Sequence, residues 1–168
     1  MTQQQKQPTC QDLVHDAWAS RKADIEGFLS GDPNKAREFL AELGYTTAQE
    51  TVSDDEALFQ AQVAFSEYGL ALDYVGPNTF EDQREAYVRF QISFGGPSEE
   101  VRFFLNPDMS LHRAEFWYLD WHDGASTDIT LEEATGLMFD WLVVSEVAKS
   151  AVEDEELPES NHPWSGSF

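Results

Sequence analysis

Apolar residues recur along this chain at two different periods. Between residues 10 and 67, and again from residue 130, they fall every three to four positions, the spacing of one helix face. From residue 68 to residue 122 they fall every second position, as in strands with one buried face. Leu13, Ala17, Ile25, Phe28 and Leu29 form a stripe that predicts a helix over 10–29. The stretch "GDPNKAREFLAELG" predicts a second helix, with Asp32 as cap, Pro33 in the first turn and Gly44 as terminator. "SDDEALFQAQVAF" opens with Ser53 and Glu56 at capping-box spacing. Its Leu58, Ala61 and Phe65 suit a helix, although Ala57, Phe59, Ala61, Val63 and Phe65 also alternate as in a strand; the helix is the preferred reading.

The strand segment begins with "YGLALDYVG", ended by Gly76-Pro77. In "EAYVRFQISF", Val88, Phe90, Ile92 and Phe94 point one way and Tyr87, Arg89, Gln91 and Ser93 the other. A "GGPS" turn leads to "EEVRFFL", which adds Val101, Phe103 and Leu105 to the apolar side; "NPDMS" then leads to "LHRAEFWYLDW". Turns this short predict an antiparallel meander of about four strands. On the last strand, Trp117, Leu119 and Trp121 are expected in the core. Phe116, Tyr118, Asp120 and His122 are expected on a mixed opposite face with Tyr87, Arg89, Arg102 and Phe104, either roofed by the N-terminal helices or left open. Thr130 and Glu133 read as a capping box opening a C-terminal helix. Leu131, Ala134, Met138, Trp141, Leu142, Val144, Val147 and Ala148 lay that helix flat on the sheet. The expected fold is a single α+β domain over 10–150, with a flexible lead at 1–9 and an acidic, mobile tail at 151–168.

Composition narrows the class. The chain has 168 residues, 41% of them apolar and 13% aromatic, enough for a packed core. No apolar run approaches the ~20 residues of a membrane span, and the start "MTQQQKQPTC" has no secretory pattern. Cys10 is the sole cysteine, which points to a reducing compartment and a cytoplasmic protein. It reads as a spare thiol in a loose N-terminal segment.

Charge changes the picture most. The net charge is −22, and it is not spread evenly. Residues 38–83 hold ten acids and no base, and residues 114–168 hold thirteen acids and only Lys149, while 1–37 and 84–113 are balanced. A face kept for solubility mixes signs; blocks without lysine predict a dedicated negative surface. Asp54, Asp55, Glu56, Glu67 and Asp73 form one candidate rail, and Glu132, Glu133, Asp140 and Glu146 another. Asp120, Asp123 and Asp128, with Phe116 and Tyr118 as aromatic neighbours, complete the candidate partner-binding set.

Catalytic signatures are scarce. "FGGPSEE" lacks the Lys-Ser/Thr of a phosphate loop and joins strand to strand. Asp120 and His122 could begin a metal site, but no third ligand stands at a supporting spacing, and their plainer reading is a surface Asp–His pair. No cofactor is expected.

"YVRFQISFGGPSEEVRFFL" followed by "FWYLDWHDGA" resembles a signature of uncharacterised small acidic proteins carried by plasmids and phages, over roughly residues 68–126. The composition also resembles anti-restriction and anti-CRISPR proteins that imitate DNA. These likenesses imply a non-enzymatic inhibitor whose carboxylates, spaced like phosphates, block a basic nucleic-acid-binding host protein such as a CRISPR effector, restriction enzyme or nuclease. Direct nucleic-acid or membrane binding is not expected. The rivals are an immunity protein against a basic nuclease toxin, a small enzyme or metal protein using Asp120 and His122, and plain salt adaptation.

Overall fold

The computed structural model describes residues 6–45 and 52–144. Its elements are α1 (Cys10–Leu29), α2 (Pro33–Glu42), α3 (Asp54–Tyr68), β1 (Ala71–Val75), β2 (Tyr87–Ser93), β3 (Ser98–Leu105), β4 (Leu111–Asp120), β5 (Asp123–Asp128) and α4 (Glu133–Val144). The strands form one antiparallel sheet in sequence order. The fold is α+β, and the 53–66 segment is helical. Among the described residues no helix is long and apolar enough to cross a membrane.

Local chemistry sets most of the helix starts. Thr9 and Asp12 form a reciprocal capping box at α1, Asp32 accepts from the backbone of Asn34 and Lys35 at α2, and Ser53 accepts from Glu56 N–H at α3. Thr130 does not cap α4. Its hydroxyl accepts from Ala114 N–H at 3.1 Å and donates to Ala114 C=O at 3.3 Å, so it fastens the chain to β4, and the helix begins only at Glu133. Leu131 consequently stands outside the apolar stripe, 98% exposed. Val147 and Ala148 lie outside the described residues, as does the tail assigned to 151–168.

All four helices belong to one layer on one face of the sheet. Trp18 of α1 packs on Phe116 (ring centroids 5.4 Å apart), Phe65 of α3 on Phe90 (5.6 Å) and Phe139 of α4 on Phe103 (6.1 Å). The shorter α2 joins through Phe39, whose ring meets Phe28 of α1 edge-on at 4.7 Å. The N-terminal helices therefore share the face that α4 covers, and the opposite face of the sheet has no helix over it among the described residues.

Two expectations for the sheet are corrected. It has five strands rather than four: Asp120 pairs with Asp123, so Trp121 and His122 are the turn and a fifth strand follows. The Asp123-Gly124 dipeptide, of a type that favours hairpin turns, instead opens β5. The faces of β4 are also reversed. Val101 opposes Phe116 and Phe103 opposes Ala114, and directly opposed residues share a face, so Phe116 and Ala114 enter the core. Trp117 lies on the helix-free face, and Trp121 has left the strand. Cys10 is not loose either: it is the first residue of α1 and buried in the core.

One polar network crosses the helix–sheet seam. Arg21 of α1 donates through Nε to Glu99 of β3 at 3.2 Å and through Nη1 to Tyr68 Oη at 3.0 Å, and Tyr68 donates to Asp24 at 2.7 Å. Ser93 Oγ donates to the same Glu99 oxygen at 3.0 Å. Burial works against the Arg21 charge, but these partners outweigh it and raise its pKa; Tyr68 is raised by burial and then by its bond to Asp24.

Candidate functional site

The fold sorts the charged residues onto different surfaces. α3 and α4 together carry Asp54, Asp55, Glu56, Glu67, Glu133 and Asp140 and no Lys or Arg. All six are exposed, and they belong to the same helical layer. Asp54 is salt-bridged to Arg37 of α2 at 2.6 Å, and Glu56 accepts from Gln60 one turn on at 3.0 Å. Glu132, just before α4, is held by Lys22 of α1. Three of the four Lys and Arg residues on the described helices are paired with named carboxylates (Arg21 to Glu99, Lys22 to Glu132, Arg37 to Asp54), which leaves Asp55, Glu67, Glu133 and Asp140 without a salt bridge among the described residues. Glu146 lies outside the described residues.

The helix-free face is the reverse case, since its charges are interleaved. Asp73 does not join the helical rail: it sits on this face and grips Arg89 through two bonds of 2.9 and 2.6 Å. Arg102 Nε donates to buried Glu100 at 2.6 Å, and its guanidinium lies 4.7 Å from the Tyr87 ring and 4.0 Å from the Trp117 ring. Arg113 lies 3.9 Å over Phe104 and meets Glu85 and Glu115 at 3.5 and 3.4 Å. The 76–86 connection folds against this face, so Val75, Tyr87 and Phe104 form a second buried cluster. Beside it lies a cleft of about 570 Å³ lined by Phe80, Arg84, Arg102, Phe104, Arg113 and Trp117 among others. The Tyr87 hydroxyl and Trp117 indole nitrogen are buried there with no hydrogen-bond partner among the described residues. Burial is the main reason that the Tyr87 pKa is raised.

The third region is the end of the sheet where the β2–β3 and β4–β5 turns meet the start of α1. Asp123 accepts from Cys10 N–H at 2.8 Å and from Gly124 N–H at 2.9 Å. Those bonds, with the Cys10 backbone bond the largest cause, hold its carboxyl below the usual range. Burial, followed by the Asp123 contact, pushes the Cys10 thiol up. Asp120 and His122 are exposed on the same hairpin, and among the described residues no three His, Cys, Asp or Glu side chains are grouped to hold a metal. Asp128, at the far end of β5, is occupied locally: it accepts from Thr130 N–H at 2.8 Å, and its bonds to Thr130 lower its pKa.

The candidate set is therefore split. Asp54, Asp55, Glu56, Glu67, Glu132, Glu133 and Asp140 belong to the helical side, Asp73 to the opposite sheet face, and Asp120 and Asp123 to the hairpin end. Phe116 is removed from it, because it is fully buried beneath Trp18, and Tyr118 is half-buried against the same core. The residues that sequence reading missed are Trp121 and Phe94, both assigned to the core. Trp121 is 92% exposed and Phe94 is 78% exposed, just beyond the end of β2. The signal that could have found Trp121 was the symmetry of the Asp120-Trp121-His122-Asp123 tetrad about a two-residue turn. Comparison with known protein families, with curated proteins and with solved structures finds no match.

Proposed function

We propose that this chain is a non-enzymatic inhibitor that presents carboxylates on its helical side to a basic, nucleic-acid-binding host defence protein. The target is a CRISPR effector or restriction enzyme in the host cytoplasm, blocked where DNA would lie. The observation that carries the reading is the charge segregation: α3 and α4 hold six exposed carboxylates and no cation, whereas Arg89, Arg102 and Arg113 all sit among carboxylates on the other face of the sheet. Carboxylates fixed on helices imitate a rigid phosphate array, and their binding displaces the counterions that DNA would displace.

The test is a panel of purified restriction endonucleases and a CRISPR nuclease cleaving plasmid DNA with and without this protein. Inhibition is expected for at least one of them, with affinity falling steeply as salt is raised and with excess DNA relieving the block. Inhibition that is insensitive to both salt and DNA would defeat the reading.

A further inference from the structure

We infer that the sheet end built from Leu70, Phe94 and Trp121 is the apolar anchor of that interaction, and that its occupant is a basic protein surface with an apolar slot for Trp121. This inference rests on the reading above and adds to it where binding specificity lies.

Trp121 occupies the first position of the two-residue β4–β5 turn with φ 51°, in the left-handed region. For a bulky residue that conformation is an outlier, normally filled by Gly, Asn or Asp. Nothing among the described residues repays it, because the indole is 92% exposed. A strained backbone that displays a bare aromatic ring is an outlier of the kind that a binding contact accounts for. Phe94 (78% exposed) enters the neighbouring β2–β3 turn at the same end, two strand spacings or about 10 Å from Trp121. Leu70 (62% exposed) leads into β1 beside β2, hydrogen-bonded to Gln91 C=O at 2.8 Å. All three residues stand at the same end of the sheet, before β1, after β2 and after β4.

The hairpin is held in place before any partner arrives. The Asp123–Cys10 hydrogen bond ties it to the start of α1, and Asp120 pairs with Asp123 across the turn. A fixed aromatic anchor loses little freedom on docking. Its surround selects the partner: Asp12, Asp120 and Asp123 are exposed around it. Lys6 lies within Coulombic reach of Asp12, and Arg21 is held by Glu99. A second copy of this chain would bring those carboxylates against their own images in a two-fold contact, whereas lysine and arginine around an apolar slot would complement them.

The experiment compares the wild type with Trp121→Asn, Phe94→Ser and the triple variant Asp55→Lys/Glu67→Lys/Asp140→Lys, using the enzyme that the panel shows to be inhibited. Trp121→Asn should weaken inhibition at least about a hundredfold at every salt concentration, mainly through faster dissociation. Phe94→Ser should weaken it about tenfold. The triple variant should instead lose the salt-dependent part. Melting temperature gives a reading that needs no partner: Trp121→Asn should leave it unchanged or raise it, because asparagine tolerates the left-handed backbone. The anchor is overturned if inhibition survives Trp121→Asn, if that variant melts markedly lower, or if light scattering finds a dimer that Trp121→Asn dissociates. Loss of inhibition in Trp121→Asn with no effect of the triple variant would defeat the acidic-surface reading and leave the anchor standing. If no enzyme in the panel is inhibited, both fall.

Discussion

The Trp18 indole on α1 and the Phe116 ring on β4 meet with centroids 5.4 Å apart and planes tilted by 41°. Ninety-eight positions apart in sequence, they join the first helix to the fourth strand and fix which face of β4 enters the core.

Phe116 and Trp117 should therefore respond very differently to truncation. Phe116→Ala empties a fully enclosed site and is expected to cost about 3–5 kcal/mol in urea unfolding. Trp117→Ala removes a partly exposed ring under Arg102 and should cost about 1–2 kcal/mol. Equal costs would mean that β4 presents the other face.

Glu99→Gln tests the network at the helix–sheet seam. Glu99 is buried and accepts from both Arg21 and Ser93, so the change leaves a largely buried guanidinium without its counter-charge. The expected loss is about 2–3 kcal/mol. Tyr68→Phe, which removes a neutral partner of Arg21, should cost less.

Acid should act through Asp123. Its folded pKa lies below its unfolded value of about 3.9, so the ionised carboxylate favours the folded state. That contribution is complete above about pH 5 and disappears as the pH falls through the folded value. The stability gap between wild type and Asp123→Asn should accordingly be constant from about pH 5 to 7 and close as the solution is acidified further. A gap that widens on acidification would contradict the Cys10–Asp123 bond.

On the helical side, single changes of Asp55, Glu67 or Asp140 to Ala should each weaken partner binding by about 1 kcal/mol or less, as is usual for exposed charge pairs. Changed together to Lys, they turn attraction into repulsion at three points, and the salt-dependent part of binding should be lost. Glu132→Ala is a control of a different kind, because Glu132 is engaged by Lys22. It should alter stability more than binding.

Much of the architecture was legible because it is written in local periods and caps. The 3.6-residue spacing with Asp32 and Ser53 at two helix starts, and the alternation through Val88, Phe90, Val101 and Phe103, need no distant partner to be recognised. The charge blocks were legible too, because charge is a property of composition. Pairing was not. Which face of β4 is buried depends on Val101 lying opposite Phe116, and a shift of one residue exchanges the faces. "FWYLDW" is apolar enough on both faces to permit either choice. In the same way Thr130 could cap a helix or bind Ala114, and only the arrival of β4 decided it. Asp73, Glu132 and Asp54 look alike as carboxylates in a charge run, yet Arg89, Lys22 and Arg37 reach them across the fold. The sequence by itself determined which segments are helices, most of the strands, and where negative charge is concentrated, since these follow from neighbours within about four residues. Tertiary structure alone decided that Phe116 is core, that Trp121 is bare, and which carboxylates keep their charge for a partner, since these depend on contacts between residues far apart in the chain.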